Sequence, residues 1–363
     1  MSTDLRARRA AWAWRIIGIA AALAVLAWVV VSIRGHALRG DAVAGPVVPA
    51  LTETRMETIR RIAVRSTEGS FTIERGPEGW VMRERGDYPV RPEAVQAVQT
   101  ALQGLSFQRR MTSDPEKLDR IGLGDPQAGG RGLLLQMEDE QGALVVDLVV
   151  GVAAESGGVY VRQADETQAW AVSGDLPDLR EPAAWLALRP LETPADTIIR
   201  VDVSPSEGRA YGLIRPTVTT AGVAGAASAL GFAFAPPLSG VQPSAAVSLE
   251  DLALRLLSVE PIDVAPAAAV QAPARARLAV TTNENLIIDA EIIAVGEDSW
   301  LKLAARATVD TPEAVAAAQA FNTGSGAWAY RLTANAADGL TPVYDTLLPA
   351  ASVAEPLPFT LAP

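Results

Sequence analysis

The chain has no cysteine and one histidine, His36. Without thiols there is no disulfide, no thiolate nucleophile, no iron–sulfur ligation and no cysteine zinc site. His36 stands just past an apolar run and reads as an interfacial polar residue. The long remainder has no imidazole, which excludes a Ser-His-Asp triad, an HExxH zinc helix and the usual general base. Positive charge is also scarce beyond the first residues. Six arginines against Asp4 give residues 1–40 a charge of +5, leaving −16 on residues 41–363 of the chain's −11. So acidic a body lacks the basic footprint that a nucleic-acid partner needs and does not suit lying flat on anionic lipid. Its simplest reading is a solvated acidic surface.

What the chain does have is one long apolar run without charge, Ile16 to Ile33. At about 1.5 Å per residue it spans about 27 Å, close to the hydrocarbon thickness of a bilayer. Arg6, Arg8, Arg9 and Arg15 precede it, and Arg34 and Arg39 follow. The basic excess puts the N-terminus in the cytoplasm, and Trp12, Trp14 and Trp28 suit interfacial belts. The expectation is a permanent single-pass anchor at 16–33 after a cytoplasmic 1–15, with the body on the outer, periplasmic side of a bacterial inner membrane. The alternatives are a cleaved leader, since Ala42-Val43-Ala44 has the small-x-small form, and a buried core helix. The run is longer than a usual leader core and lies well before Ala44.

Length beyond the anchor suggests two domains, large enough to bury cores. Residues 34–54 read as a linker, broken by Gly40, Gly45, Pro46 and Pro49, with a short helix beginning near Thr52. A first α+β unit is expected over 55–190. Ile62 and Val64, then Phe71 and Ile73, alternate with polar neighbours, and Trp80-Val81-Met82 follows the Pro77-Glu78-Gly79 turn. Pro92 and Glu93 start a helix whose Val95, Val98, Leu102 and Leu105 share one face. Asp114 and Pro115 start a shorter one that stops at Gly122. Strands are predicted at 133–137, 145–150, 159–161 and 169–172, and helical turns over 176–188.

The order then repeats over 191–349. "TIIRVDVSPSEG" from Thr197 echoes "TIRRIAVRSTEG" from Thr58. Tyr211 to Ile214 stands for the second strand and Phe232-Ala233-Phe234 for the third. Ser248 opens a capping-box-like helix with Leu249, Leu252 and Leu256 on its apolar face. Strands follow at 278–280, 286–295 and 300–303, a helix from Thr311 to Phe321 and a last strand at 328–332. The reading is an internal duplication of two similar α+β units with mostly antiparallel sheets. Residues 217–247, rich in Gly, Ala and Pro, are expected to form a long loop, and 350–363 an extended tail.

Five stretches look like a known family: "GPEGWVMRE" from Gly76, "YPVRPEAVQAVQTALQGL" from Tyr88, "LDRIGLGDP" from Leu118, "GVYVRQ" from Gly158 and "GAWAYRLTANAADGLTPVYDTLLP" from Gly326. They resemble the bacterial membrane-anchored proteins defined by domain of unknown function 4340 (DUF4340). The resemblance spans most of 55–349, with the 217–247 loop departing from it. It implies association with auxiliary components of gliding-motility-type ABC transporters, and it brings no catalytic residues with it.

No residue is singled out as catalytic, cofactor-binding or metal-binding, and no cofactor is expected. "GVAGAASALG" from Gly222 lacks the Lys-Ser/Thr end of a phosphate loop and any clear strand before it, and "GSG" at Gly324 reads as a turn. Glu138-Asp139-Glu140 reads as a hairpin turn. Asp119 with Asp125, and Glu297 with Asp298, are oxygen ligands without the spacing of a calcium loop. Trp80, Trp170, Trp185, Trp300 and Trp328 would line a sugar-stacking groove if exposed together, but in strand-like stretches they read as core. Arg60-Arg61 and Arg109-Arg110 read as a solvated face, or as contacts to headgroups or an acidic partner. The expected function is a non-enzymatic, membrane-anchored accessory subunit of an ABC-type, gliding-motility-like assembly. The alternatives are a module binding envelope polysaccharide or peptidoglycan, and a hydrolase using two carboxylates.

Overall fold

The computed structural model describes residues 45–155, 157–216, 231–235 and 243–349. The apolar run at 16–33, the possible cleavage site at Ala44 and the tail from Ala350 lie outside them. Among the described residues no helix is long and apolar enough to cross a membrane. The strands make two antiparallel sheets, of nine and eight strands. The described chain divides into two compact units. One holds residues 45–75 and 92–180, the other 76–91 and 181–349.

The first unit starts before residue 55. Val47, Val48 and Leu51 are buried, so the span expected as a linker up to 54 is part of the body from residue 45. Thr52 caps α1 (Glu53–Thr58) by accepting from the Arg55 N–H. Then come β1 (Ile59–Arg65) and β2 (Ser70–Gly76). Helix α2 (Pro92–Gly104) buries Val95, Val98 and Leu102 on the predicted face. It is followed by β5 (Ser106–Arg110), a short helix α3 (Pro115–Leu118), β6 (Leu133–Asp139), β7 (Leu144–Ala153), β8 (Val159–Gln163) and β9 (Trp170–Ser173). The unit's strands lie in the order β2-β1-β6-β7-β8-β9-β5. Residues 45–47 extend this order at β5, through a Pro46–Ser106 bridge and the Phe107 N–H donating to Gly45 O at 3.0 Å.

The second unit takes in the pair β3 (Gly79–Met82) and β4 (Tyr88–Pro89), which a contiguous division at 190 leaves in the first. The ring of Tyr88 meets those of Trp328 and Tyr330 edge-on at 4.9 and 6.3 Å, and Arg85 pairs with Asp263 at 2.6 Å. These contacts hold the segment there. The helical turns expected over 176–188 reduce to one 3-10 turn, Pro182–Ala184. Pro177 and Pro182 supply no N–H to continue a helix. Next come β10 (Ile198–Ser204), β11 (Tyr211–Ile214) and β12 (Ala233–Ala235), the last inside the stretch expected as a loop. Residues 217–230 and 236–242 of that stretch are outside the described set. Helix α4 (Leu249–Leu254) is capped by Ser248 accepting from Asp251 N. It leads to β13 (Asp263–Pro266), β14 (Ala274–Thr282), β15 (Leu286–Val295) and β16 (Asp298–Ala307). Helix α5 (Pro312–Thr323), β17 (Trp328–Leu332) and α6 (Ala334–Leu340) complete the unit. The sheet order is β12-β11-β10-β14-β15-β16-β17-β13.

Seven strands of each unit thus follow one order, β2-β1-β6-β7-β8-β9-β5 in the first and β11-β10-β14-β15-β16-β17-β13 in the second. The register repeats as well. Ile59 and Arg61 pair with Asp139 and Glu138, with a bulge between them; Ile198 and Arg200 pair with Thr282 and Thr281, with the same bulge. A bulge at one site in both ladders is a built feature, and with the shared order it fits the internal duplication. Ile59, Ile62 and Val64 are buried in one copy and Ile198, Val201 and Val203 in the other.

The residues opposite the two isoleucines do the same work. Asp139 and Thr282 are both buried. Asp139 Oδ1 accepts from Gln141 and Ala143 N–H at 3.0 and 2.9 Å, closing the β6–β7 hairpin, and Oδ2 lies 3.1 Å from Arg55. Thr282 Oγ1 accepts from Leu286 N–H at 3.3 Å and donates to its carbonyl at 3.4 Å, closing the β14–β15 hairpin. Removing a buried acceptor leaves its donors unsatisfied. Asp139→Ala is therefore expected to lower unfolding free energy by about 2–3 kcal/mol. Thr282→Val is expected to lower it by about 1 kcal/mol. Urea unfolding of each variant checks both.

Candidate functional site

In the two units β5 and β13 lie at the far edge of their sheets, while the strands that follow them, β6 and β14, lie inside. The chain between them must cross one face. In the first unit that crossing is residues 111–132, and in the second only 267–273. What each crossing leaves uncovered decides where a site can form.

The long crossing covers its face. Leu118 and Leu123 pack on Leu134, Val149, Tyr160, Ala169 and Ala171. The backbone approaches closely at Gly151, where a Cβ would stand 2.4 Å from Ile121 O. Arg162 is buried beneath it and donates from Nε to Leu123 O at 2.9 Å. Its Nη1 donates to the carbonyls of Gln163, Ala164 and Glu166. Burial pushes this guanidinium below its ordinary pKa, opposed by the Asp125 and Asp147 carboxylates.

The short crossing plugs only part of its face. Val270 packs with Ile293 and Ala329, flanked by Trp300 and small alanines. Beyond the plug a groove of about 730 Å³ stays open. Its floor follows the ladder register. Ser204 pairs with Arg277, Arg277 with Glu291, and Glu291 with Lys302. The matching row in the first unit is Arg65, Leu134, Val149 and Arg162. Apolar Leu134 and Val149 give way to Arg277 and Glu291, and Arg162 to Lys302. In the next row Ala279 and Ala304 stand either side of Asp289, and their small side chains deepen the floor.

The groove's carboxylates are tied to arginines. Glu291 is 3.0 Å from Arg277, Asp289 is 3.0 Å from Arg306, and Asp202 is 2.6 Å from Arg200. Lys302 Nζ donates to Val270 O at 3.4 Å. That cation fixes the plug as Arg162 fixes the longer crossing, but it keeps donors to spare, since an ammonium carries three. Alternating paired charge over a shallow, partly apolar floor suits recognition of another polar surface.

The residues weighed from sequence lie elsewhere. Asp119 belongs to the long crossing: Oδ1 accepts from Arg131 N at 2.7 Å and Oδ2 from Arg131 Nε at 3.3 Å. Asp125 Oδ1 accepts from Gln127 N at 2.8 Å. Asp298, beside Glu297 at the β15–β16 turn, is 3.5 Å from Arg331. No cluster of three or more His, Cys, Asp or Glu with metal-holding geometry occurs among the described residues. Of the tryptophans, Trp185 is buried, Trp170 packs on Phe107 at 4.8 Å, Trp328 meets Tyr88, Trp300 flanks the Val270 plug, and none lines the groove. Arg61 pairs with Glu138 at 2.8 Å, Arg60 with Glu140 at 3.5 Å, and Arg110 donates to Gln168 at 2.7 Å. The "GSG" turn contributes Gly326 to the groove wall. "GVAGAASALG" lies outside the described residues except for Gly231. The groove residues carried one sequence signal, the alternation of charge along 275–277, 289–291 and 302–306, which by itself marks only a polar face.

The Arg131 N–H bond, then the charge and side chain of Arg131, hold the Asp119 carboxyl below the usual carboxylate range. A depressed folded-state pKa contributes stability that is present above the ordinary value of about 3.9 and is lost as pH falls through the folded value. The stability difference between the natural chain and Asp119→Asn is expected to be constant above about pH 5 and to shrink toward pH 2–3. Thermal unfolding across that range measures it.

No curated protein and no solved structure matches the chain. A family model does: that of Domain of unknown function (DUF4340), over residues 80–260. The match runs from Trp80 in β3 through the first unit's long crossing to Glu260, just before β13. It supports placing this chain in the DUF4340 family.

Proposed function

We propose that this protein is a non-enzymatic binding scaffold. It is held by a single N-terminal anchor at the outer face of a bacterial inner membrane, and serves as an auxiliary component of an ABC-type, gliding-motility-like transport assembly. One observation carries the binding role. The second unit repeats the strand order of the first but leaves its sheet face open as a groove of about 730 Å³ with arginine-paired carboxylates. Carboxylates so engaged are suited to matching a partner's charges, where a glycosidase needs two that are free to act as acid and base. The anchor rests on the 18 uncharged residues from Ile16 to Ile33 and their arginine flank. The transport association rests on the family resemblance. A polysaccharide-binding role has less support, because no tryptophan lines the groove.

Two measurements test this. Carbonate-washed membranes are expected to retain the full-length chain, with the body digested by protease in spheroplasts and not in intact cells. Release into the wash would remove the anchor. Purification in mild detergent is expected to bring down transporter subunits, whereas retention on isolated cell-wall material without them would favour the polysaccharide role.

A further inference from the structure

We infer that the groove on the second unit's sheet is a docking site for a polypeptide segment of a partner protein, and that Lys302 is the residue that receives its main chain. This rests on the scaffold reading above and names what the open face takes. The first unit supplies the template. On the same face, at the same register, a polypeptide segment crosses the strands and offers the Leu123 carbonyl to a buried cation, Arg162, at 2.9 Å. Arg162 donates to four carbonyls. Lys302 occupies its register position, lines the groove and, among the described residues, makes one long bond, to Val270 O at 3.4 Å. The second unit's own crossing ends too soon to supply more.

The chemistry of the floor says what kind of segment fits. Leu118 and Leu123 sit on Leu134 and Val149 in the first unit. Their register partners in the second are Arg277 and Glu291, so an apolar staple would strand two charges. The incoming segment therefore carries polar side chains of both signs, set against the pairs Arg277–Glu291 and Asp289–Arg306. A small side chain or glycine enters over Ala279 and Ala304, where the floor is lowest. A main-chain carbonyl meets Lys302. Near-balanced charge in the groove makes recognition depend on matched pairs more than on net attraction.

The test uses the full-length chain in its native membranes, with a benzophenone amino acid placed at Ser204, an exposed residue of the groove's lining away from the lowest part of its floor. Ultraviolet irradiation is expected to give one adduct to a different protein, mapped by mass spectrometry to a single segment with charges of both signs. Lys302→Ala is expected to lower its yield at least tenfold, and Lys302→Arg to restore it. Absence of an adduct, an adduct within this chain or to a second copy of it, an adduct to lipid or glycan, or a yield indifferent to Lys302→Ala each overturns the assignment. The groove and the broader role fail separately. A Lys302-dependent adduct to a protein unrelated to transport keeps the groove and sinks the transport role. Transporter subunits that co-purify undiminished with Ala304→Trp, which fills the floor, keep the role and sink the groove.

Discussion

A strand placed at the far edge of a sheet obliges the chain to cross that sheet before the next strand can pair inside it. In one half β5 is at the edge and the next strand, β6, is central; in the other β13 and β14 stand the same way. The crossing is therefore an obligatory cover, and its length sets how much of the face meets solvent. Apolar residues on the face require a long cover, because exposed Leu134 and Val149 would forgo their burial, worth about 1.5–3 kcal/mol each. Charged residues there do not, since ion pairs at a surface cost little to leave wet. Each face has the cover that its own residues demand.

The two halves also solve the problem of holding that cover. A cation at one register position reaches up to a carbonyl of the crossing, a guanidinium with several partners in one half and an ammonium with one in the other. A planar, multi-donor group suits a buried network of carbonyls, whereas a flexible ammonium tolerates a half-open site. Similar economy appears at the hairpins, where a buried Asp139 closes the β6–β7 turn and a buried Thr282, at the matching position, the β14–β15 turn. Local hydrogen-bonding duty is retained while residue identity drifts.

Much of the scaffold was legible. Period-two alternation marked β1 and β2, strands were predicted within β6, β7, β14 and β15, and the caps at Asp114, Ser248 and Thr311 marked three helices. The echo between residues 58–69 and 197–208 announced the repeat. Other elements were not legible, for physical reasons. Strand β5 reads Ser-Phe-Gln-Arg-Arg and β13 ends in proline; both are edge strands with little buried surface to impose a pattern. The assignment of Gly76–Arg91 to the second unit depends on rings and an ion pair more than 170 residues apart in sequence, Arg85 with Asp263 among them. The groove was invisible because alternating charge says that a face is polar, never that it is concave.

The sequence by itself determined the absence of thiol and imidazole chemistry from the body, the uncharged 16–33 run, the acidic balance, the helix caps and the doubled order of elements. These are properties of composition and short-range spacing, which local forces read directly. The tertiary structure alone decided which cation stands opposite which carbonyl, which carboxylates are held by arginines, and which of two equivalent faces stays open. Those outcomes follow from strand register and from the length of a crossing relative to the sheet beneath it, and both are set only when residues far apart in sequence pair.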